Sequence, residues 1–151
     1  MKKLCVIPCG KKKIWDLEAH YPQAPAKEVY LSTFHKLCRQ YAEQFTDQWV
    51  VLSGKHGFLF PDDMVDGPYD VTFGQRNAKV ISIERLKQQV IDKQLDHYDE
   101  LVILTGKKYK PYINGAFDEM MKKTFPLADY KGIGYMQKAL KQAIEAKKSL
   151  S

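Results

Sequence analysis

The first hydrophobic run of the chain reads Leu4-Cys5-Val6-Ile7-Pro8-Cys9 and is followed at once by Gly10-Lys11-Lys12-Lys13. The same order, an apolar run and then a small residue, a glycine and a lysine, occurs in two further places. These are Trp49-Val50-Val51-Leu52-Ser53-Gly54-Lys55 and Leu101-Val102-Ile103-Leu104-Thr105-Gly106-Lys107. Apolar runs without alternation are typical of strands that are covered on both faces of a parallel sheet. The three runs therefore predict the central strands of an α/β sheet.

Helical patterns separate these runs. After Pro25, apolar side chains recur at spacings of three and four residues, and a proline is tolerated just before a helix. The alternation of strands and helices favours a three-layer α/β sandwich, in which a small, mostly parallel sheet of three to four strands is flanked by helices. We treat residues 1–151 as a single α/β domain. The predicted strands span 3–8, 49–52, 101–104 and 124–127, the predicted helices span 26–45, 76–95, 112–123 and 135–148, and 54–75 is a long loop.

The composition limits the classes of protein to which the chain can belong. It has 151 residues, a net charge of +6 and 44% hydrophobic residues, which suits a polyanion partner as well as simple solubility. Its three cysteines are too few for a disulfide framework and predict reduced thiols. No apolar stretch has the length of a membrane span, and no secretory apolar region follows the first lysines. We expect a cytoplasmic protein with no membrane partner, whose oligomeric state the sequence leaves open.

The three Gly-Lys turns are expected to form a binding edge. In an open α/β sheet, ligands bind beyond the carboxyl ends of the strands. Glycine allows a close approach of the backbone and lysine supplies positive charge, so the predicted ligand is anionic: a nucleotide, a phosphate ester or a nucleic acid. The turns lack the Gly-x4-Gly-Lys-Ser/Thr pattern of P-loop proteins, which argues against ATP hydrolysis of that kind. The predicted ligand-binding residues are Gly10, Lys11, Lys13, Ser53, Lys55, Tyr69, Gly106, Lys107 and Tyr109.

Four residues near these turns are candidates for catalysis. Cys9 precedes three lysines, which favours a thiolate nucleophile, although a buried and inert thiol is the commoner outcome. His56 suits proton transfer because the unperturbed pKa of imidazole lies near neutrality, and it also suits a phosphate-contacting or solvent-exposed loop. Asp62 and Asp70 are further proton-transfer candidates, in a stretch whose composition also suits tight turns. The ring of Tyr69 is suited to stacking on a nucleobase.

Four blocks scattered along the chain share a pattern. They are Cys9-Gly10-Lys11-Lys12-Lys13, Leu52-Ser53-Gly54-Lys55-His56-Gly57-Phe58-Leu59-Phe60-Pro61-Asp62, Pro68-Tyr69-Asp70 and Thr105-Gly106-Lys107-Lys108-Tyr109. Together they resemble the peroxide-stress YaaA-like group of uncharacterised bacterial proteins, in which the second strand runs into Leu-Ser-Ala-Lys-Tyr-Gly and Pro-Asp, with Pro-Tyr-Asp further on. This chain has Gly54 and His56 where alanine and tyrosine are usual. The resemblance implies a stress-related role, and the departure at His56 weakens a family-wide catalytic role for that residue.

A second resemblance concerns the core domain of archaeosine synthase, an enzyme that modifies a tRNA base. That domain carries a Pro-Cys turn followed by a lysine, an aromatic residue and a histidine, and here Pro8-Cys9, Lys13, Trp15 and His20 are similar. Ile14 replaces the proline before the aromatic residue, and the intervening serine is not matched. This resemblance implies chemistry on a nucleobase and a sheet like that of uracil-DNA glycosylases. Fold does not establish function, so their reaction is not implied.

Three functions follow as hypotheses. The first is a nucleotide- or nucleic-acid-binding protein, with an enzyme activity on a nucleobase or nucleotide left open. The second is a non-catalytic nucleic-acid-binding stress protein, whose affinity would depend strongly on salt. The third is a structural or regulatory domain that meets an acidic protein. The cysteines and histidines lack the spacing of a zinc ligand set, so neither a metal nor a cofactor is predicted.

Overall fold

The structure is a computed structural model that describes residues 1–73 and 79–150. Unbroken apolar stretches form its long central strands, which are buried from their second residue onward. Shorter strands lie at the margins of the sheet and in a separate ribbon. In chain order the strands are β1 (Lys3–Pro8), β2 (Ala24–Pro25), β3 (Gln48–Ser53), β4 (Gly57–Leu59), β5 (Met64–Val65), β6 (Glu100–Ile103) and β7 (Lys122–Thr124).

Helices of very different length connect the strands. The longest ones carry one apolar face each, as helices packed on a sheet do. Single 3₁₀ turns precede β6, over Leu95–His97, and follow it, over Lys107–Tyr109. The α-helices are α1 (Ile14–Leu17), α2 (Ala26–Val29), α3 (Thr33–Phe45), α4 (Ile83–Asp92), α5 (Lys110–Ala116) and α6 (Ile133–Ala146).

The main sheet has the strand order β4-β3-β1-β6-β7, with β1 at its centre. The pairs of β1 with β3, of β1 with β6 and of β6 with β7 are parallel, and β4 is antiparallel to β3. Val6 of β1 lies opposite Val50 on one side and Ile103 on the other, so the three predicted apolar runs are direct neighbours. Their carboxyl ends consequently lie at one edge. A separate ribbon pairs β2 with β5.

Helices cover both faces of the sheet, which confirms the predicted three-layer α/β sandwich. On one face Cys5 and Ile7 pack in a cluster that includes residues of α3 and α6. On the other face Leu4 and Val6 pack in a cluster that includes residues of α4 and α5. The sheet has five strands where the sequence predicts three to four. The additional strand, β4, is only three residues long and lies inside the predicted loop 54–75, where its short length hides it.

The predicted helix 26–45 is interrupted. Residues 30–32 separate α2 from α3, because Ser32 caps α3: its Oγ accepts a hydrogen bond from the backbone N–H of His35. The break also lets Tyr30 form an isolated antiparallel bridge with Lys13. The interruption therefore attaches the turn that follows β1 to the start of α3.

Other element limits also differ from the predictions. The predicted helix 76–95 begins at Ile83, after its cap Ser82, while 76–78 lie outside the described residues. The predicted helix 112–123 ends at Ala116, and the last strand is β7 rather than 124–127. Element limits shift in this way because local patterns mark helix and strand ends poorly. Within 1–73 and 79–150, no helix is both long enough and apolar enough to cross a membrane.

Candidate functional site

Side-chain contacts connect the turns that follow β1, β3 and β6. Cys9 Sγ lies 3.8 Å from the hydroxyl oxygen of Tyr109, which joins the first turn to the third. Tyr69 joins the first turn to the second, because the Oγ of Ser53 donates to its hydroxyl at 2.8 Å and Lys13 Nζ lies 4.5 Å from the centre of its ring. Residues from three distant parts of the chain thus meet at the carboxyl edge of the sheet.

The hydroxyl of Tyr69 is the centre of a partly buried network of hydroxyl groups. Its hydroxyl hydrogen-bonds to Ser53 and to the hydroxyl of Tyr30. Ser53 is fully buried, and its Oγ also accepts from the backbone N–H of His56 at 3.1 Å, which closes the second turn. Burial raises the pKa of the Tyr69 hydroxyl to about 12 and raises that of Tyr30 as well. Both hydroxyls are therefore neutral at physiological pH, and the network holds the ring of Tyr69 in one place.

Lys13 is a buried lysine without a carboxylate partner in the described part of the chain. Only 6% of the residue is exposed. Its ammonium lies over the rings of Tyr69 and Tyr30 and donates to the backbone oxygen of Lys11 at 3.3 Å. The main-chain N–H of Lys13 is held by Asp16 Oδ2 at 2.8 Å. Buried cations are usually paired with an anion, so the lack of a carboxylate partner here is unusual.

A pocket of about 200 Å³ opens over Lys13, and its charged lining also includes Lys11, Asp16 and Asp70, with Tyr69 beside them. We call it the Lys13 pocket. Lys55 is near it, with its Nζ 5.9 Å from the centre of the Tyr69 ring. Of the acidic candidates, Asp70 thus lies at the predicted site. Asp62 does not, since its exposed carboxylate pairs with Lys27 at 2.9 Å outside this pocket.

The imidazole of His56, in the turn after β3, packs against Tyr69 but does not line the Lys13 pocket. Its ring meets the ring of Tyr69 edge to face, with centroids 5.0 Å apart. Its Nε2 is buried and has no hydrogen-bond partner among the described residues. Burial lowers the pKa of His56, and the charge of Lys55 lowers it further, against an opposing effect of Asp66. A neutral imidazole in this place can accept a proton or a hydrogen bond.

Cys9 faces a second and larger cleft, of about 580 Å³, on the other side of Lys11. The cleft is lined by the turns after β1 and β6 and by the first turns of α3 and α6, and we call it the Cys9 cleft. Cys9 is partly exposed, whereas Cys5 and Cys38 are buried and burial raises the pKa of both thiols. Burial, followed by the neighbouring Cys9, raises the pKa of Tyr109. Cys9 is thus the cysteine that a ligand can reach.

The third turn is divided between two clefts. Gly106 and Tyr109 line the Cys9 cleft together with Gly10. Lys107 instead lines a neighbouring cleft, which it shares with Gly106 and Gly132. The predicted ligand-binding residues therefore lie along one edge, but Lys107 does not line the Lys13 pocket.

Gly54 allows a close approach that shapes the site. A Cβ at this position would lie 2.7 Å from the backbone oxygen of Val71. The backbone oxygen of Gly54 also accepts from the N–H of Ile81 at 2.8 Å. The turn after β3 therefore packs closely against the segment that contains Tyr69 and Asp70. Only a glycine at position 54 permits this close approach.

The sequence analysis missed His35 as a site residue. It lies in the first turn of α3, is 2% exposed and lines the Cys9 cleft. Its Nδ1 lies 3.0 Å from the backbone oxygen of Pro8, and its Nε2 has no partner in the described part of the chain. Burial lowers the pKa of His35 to about 4. The sequence did contain one signal for its position. Ser32, three residues before His35, is of a residue type that caps helices, which would place His35 in the first turn of a helix.

The buried His35 should make stability depend on pH. Its pKa of about 4 in the folded protein lies below the ordinary histidine value of 6.5, so the unfolded chain binds a proton more readily between these values. The free energy of unfolding is therefore expected to fall as pH is lowered from about 6.5 to 4, by about 3 kcal/mol from this group. Urea denaturation of wild type and His35→Phe across this range measures the difference. The exposed His20→Asn serves as the control, and equal slopes in all three proteins would contradict the prediction.

In the described part of the chain, no three histidine, cysteine, aspartate or glutamate side chains are grouped so that they could hold a metal ion. The model of a family of unknown function, DUF6884, matches residues 4–142, which include every candidate residue named above. The uncharacterized protein YfjM of Bacillus subtilis (strain 168) is 49% identical over 150 residues, which cover 99% of this chain and 100% of that protein.

Proposed function

This chain belongs to the DUF6884 family of unknown function, and we propose that it binds a nucleotide or a nucleic-acid segment at the carboxyl edge of its sheet. The observation that carries the proposal is Lys13, which is a buried residue, lines a pocket and forms no ion pair within the described residues. A phosphate group would supply the missing negative charge and up to three hydrogen-bond acceptors. Its binding would compensate the desolvation of the lysine.

The surroundings of Lys13 support an extended anion rather than a single small ion. Lys11 lines the same pocket, and Lys55 approaches the same tyrosine ring. Both lysines are exposed, so they can follow a chain of phosphates into solvent. The Lys13 ammonium lies over the Tyr69 ring, and the Tyr69 hydroxyl is hydrogen-bonded to Ser53. We therefore assign to Tyr69, first, the role of holding the Lys13 ammonium. Any part of its ring that the ligand can reach would stack on a base.

An enzymatic version of this function would use Cys9, which lines the neighbouring Cys9 cleft, or His56, which contacts Tyr69. Cys9 is the partly exposed cysteine of the described chain, and His56 presents an unpaired ring nitrogen beside Tyr69. Asp70, which lines the Lys13 pocket, would assist in proton transfer. The alternative is a cytoplasmic protein that binds nucleic acid without chemistry, as the resemblance to the YaaA-like stress group implies.

Binding measurements over a range of salt test the proposal. We expect ATP, or single-stranded RNA or DNA of about 12 nucleotides, to bind the protein. If Lys11, Lys13 and Lys55 each neutralise one phosphate of a strand, affinity for the strand should fall about twentyfold between roughly 50 and 200 mM salt. Fluorescence anisotropy measures the strands and calorimetry measures ATP.

The outcomes separate the versions of the proposal. A strong salt dependence for strands, with weak binding of ATP, supports the nucleic-acid version. Binding of ATP without strands supports the nucleotide version, and native mass spectrometry of freshly purified protein should then find a nucleotide. Failure of ATP and of both kinds of strand to bind would overturn the proposed function.

A further inference from the structure

Two long helices begin at the Cys9 cleft. The first turns of α3, which has 13 residues, and of α6, which has 14, both line it. The start of a helix carries unpaired N–H groups and a partial positive charge, and it attracts anions. Ser32 caps α3 with its side chain, but the cap of α6 is Gly132, which has no side chain to bond the amides. The start of α6 is therefore open to an anion.

The side chain of His35 is an independent sign of a ligand in this cleft. Since a carbonyl oxygen can only accept, its Nδ1 carries the hydrogen that is donated to Pro8. In the neutral ring, Nε2 is then an acceptor, and it is buried without a partner in the part of the chain that is described. A buried hydrogen-bond acceptor without a donor lowers the stability of the folded protein and is uncommon. A ligand that brings a hydrogen-bond donor would satisfy it.

The charge of the cleft favours an anion. Lys11 and Lys108 line it, and its lining includes no acidic side chain among the described residues. Phe34, Tyr109 and Met136 add apolar surface, on which the carbon part of a ligand can pack. A volume of about 580 Å³ lies within the range of ordinary small-molecule sites.

We propose that the Cys9 cleft is a second anion site, which takes a phosphate monoester with free hydroxyls and the size of a nucleoside monophosphate. The phosphate lies at the open start of α6, between Lys11 and Lys108, and a hydroxyl of the ester donates to Nε2 of His35. This site is separate from the Lys13 pocket and shares only Lys11 with it. The inference therefore goes beyond the proposed function and does not require it.

The phosphate position is tested by deleting one amide N–H. A Cβ at Gly134, the second residue of α6, would meet nothing within 4 Å, and Pro111 already occupies the corresponding position of α5. Gly134→Pro removes the N–H, whereas the matched Gly134→Ala keeps it. Calorimetric titration with AMP should show about tenfold weaker binding for the proline variant than for the alanine variant. Equal affinities would overturn the phosphate position.

The hydroxyl contact is tested with 2′,3′-dideoxy-AMP. Wild type should bind this analogue about tenfold more weakly than AMP, and His35→Phe should bind both alike. In wild type, the ¹⁵N resonance of His35 Nε2 should shift when AMP saturates the protein, a readout that needs no variant. Equal binding of both nucleotides by wild type, or an unmoved resonance, would overturn the contact.

The same AMP titrations with the Lys13→Met variant distinguish binding in the Cys9 cleft from binding in the Lys13 pocket. AMP binding that survives in Lys13→Met and weakens in Gly134→Pro supports the Cys9 cleft and leaves the proposed function to its own test. AMP binding that is lost in Lys13→Met and unchanged by Gly134→Pro overturns this inference and supports the Lys13 pocket.

Discussion

Lys13→Met should weaken the binding of the polyphosphate or nucleic-acid ligand by about ten- to a hundredfold. A hydrogen bond to a charged group is worth about 1.5–3 kcal/mol, and each 1.4 kcal/mol changes affinity tenfold. The lost ammonium lies over the ring of Tyr69 and opens on a pocket. Methionine has a similar length and no charge, so the pocket keeps its shape. Calorimetry with ATP and anisotropy with labelled strands measure the change.

Lys12→Met is the matched control. It removes the same charge from the same turn, but Lys12 is exposed and does not line the Lys13 pocket. We expect it to lower affinity by about threefold or less, as a loss of general electrostatic attraction does. Equal losses in the two variants would contradict a specific role for Lys13 and would favour a diffuse basic surface.

Thermal denaturation of Lys13→Met tests whether Lys13 also contributes to the stability of the fold. Lys13→Met replaces a buried ammonium by an apolar side chain, which is neutral or stabilising where a buried charge lacks a partner. The variant should therefore melt at or above the wild-type temperature. A lower melting temperature would show that Lys13 supports the fold itself.

Gly57→Ala is expected to destabilise the protein by about 3 kcal/mol. Gly57 has a φ of +75°, and a Cβ there would lie 2.2 Å from Oε1 of Gln89. That amide accepts from the N–H of Phe58 at 2.8 Å and donates to the backbone oxygen of His56 at 2.9 Å. About 1–2 kcal/mol comes from the left-handed backbone and about 1 kcal/mol from each displaced hydrogen bond.

The corresponding fall in melting temperature is about 10 °C for a chain of this size. Gly67→Ala is the control, because a Cβ there would meet nothing within 4 Å and its φ lies outside the left-handed range. It should change the free energy of unfolding by about 0.5 kcal/mol or less. Similar denaturation midpoints for the two variants would contradict the role of Gln89 in joining α4 to the β3–β4 turn.

The central strands were predictable from local sequence. A strand buried on both faces needs consecutive apolar residues, and Leu4-Cys5-Val6-Ile7 shows this without its neighbours in space. The strand β4 was not predictable, because three residues carry too little pattern and its pairing with β3 depends on the turn at Gly57. The break between α2 and α3 was hidden for a similar reason, since apolar spacing continues across Ser32.

The candidate site was predictable in part. The sequence predicted that the Gly-Lys turns lie at one edge, and Cys9, Lys13 and Ser53 each contact a residue from another turn or segment of that edge. It predicted Asp62 for the same site, but that carboxylate pairs with Lys27 elsewhere. It predicted Lys11 and Lys13 alike as ligand-binding residues, and it did not show that Lys13 is buried while Lys11 is exposed, because burial depends on contacts with distant segments.

The amino-acid sequence by itself determined the α/β class, the central strands and the positive charge of their carboxyl edge, because these depend on composition and on neighbours along the chain. Only the tertiary structure decided which lysine is buried, which tyrosine holds it and which histidine is left unpaired. Burial and hydrogen-bond partners depend on which distant segments pack together, as Tyr69 does on Lys13 and Pro8 on His35. No local pattern contains that information.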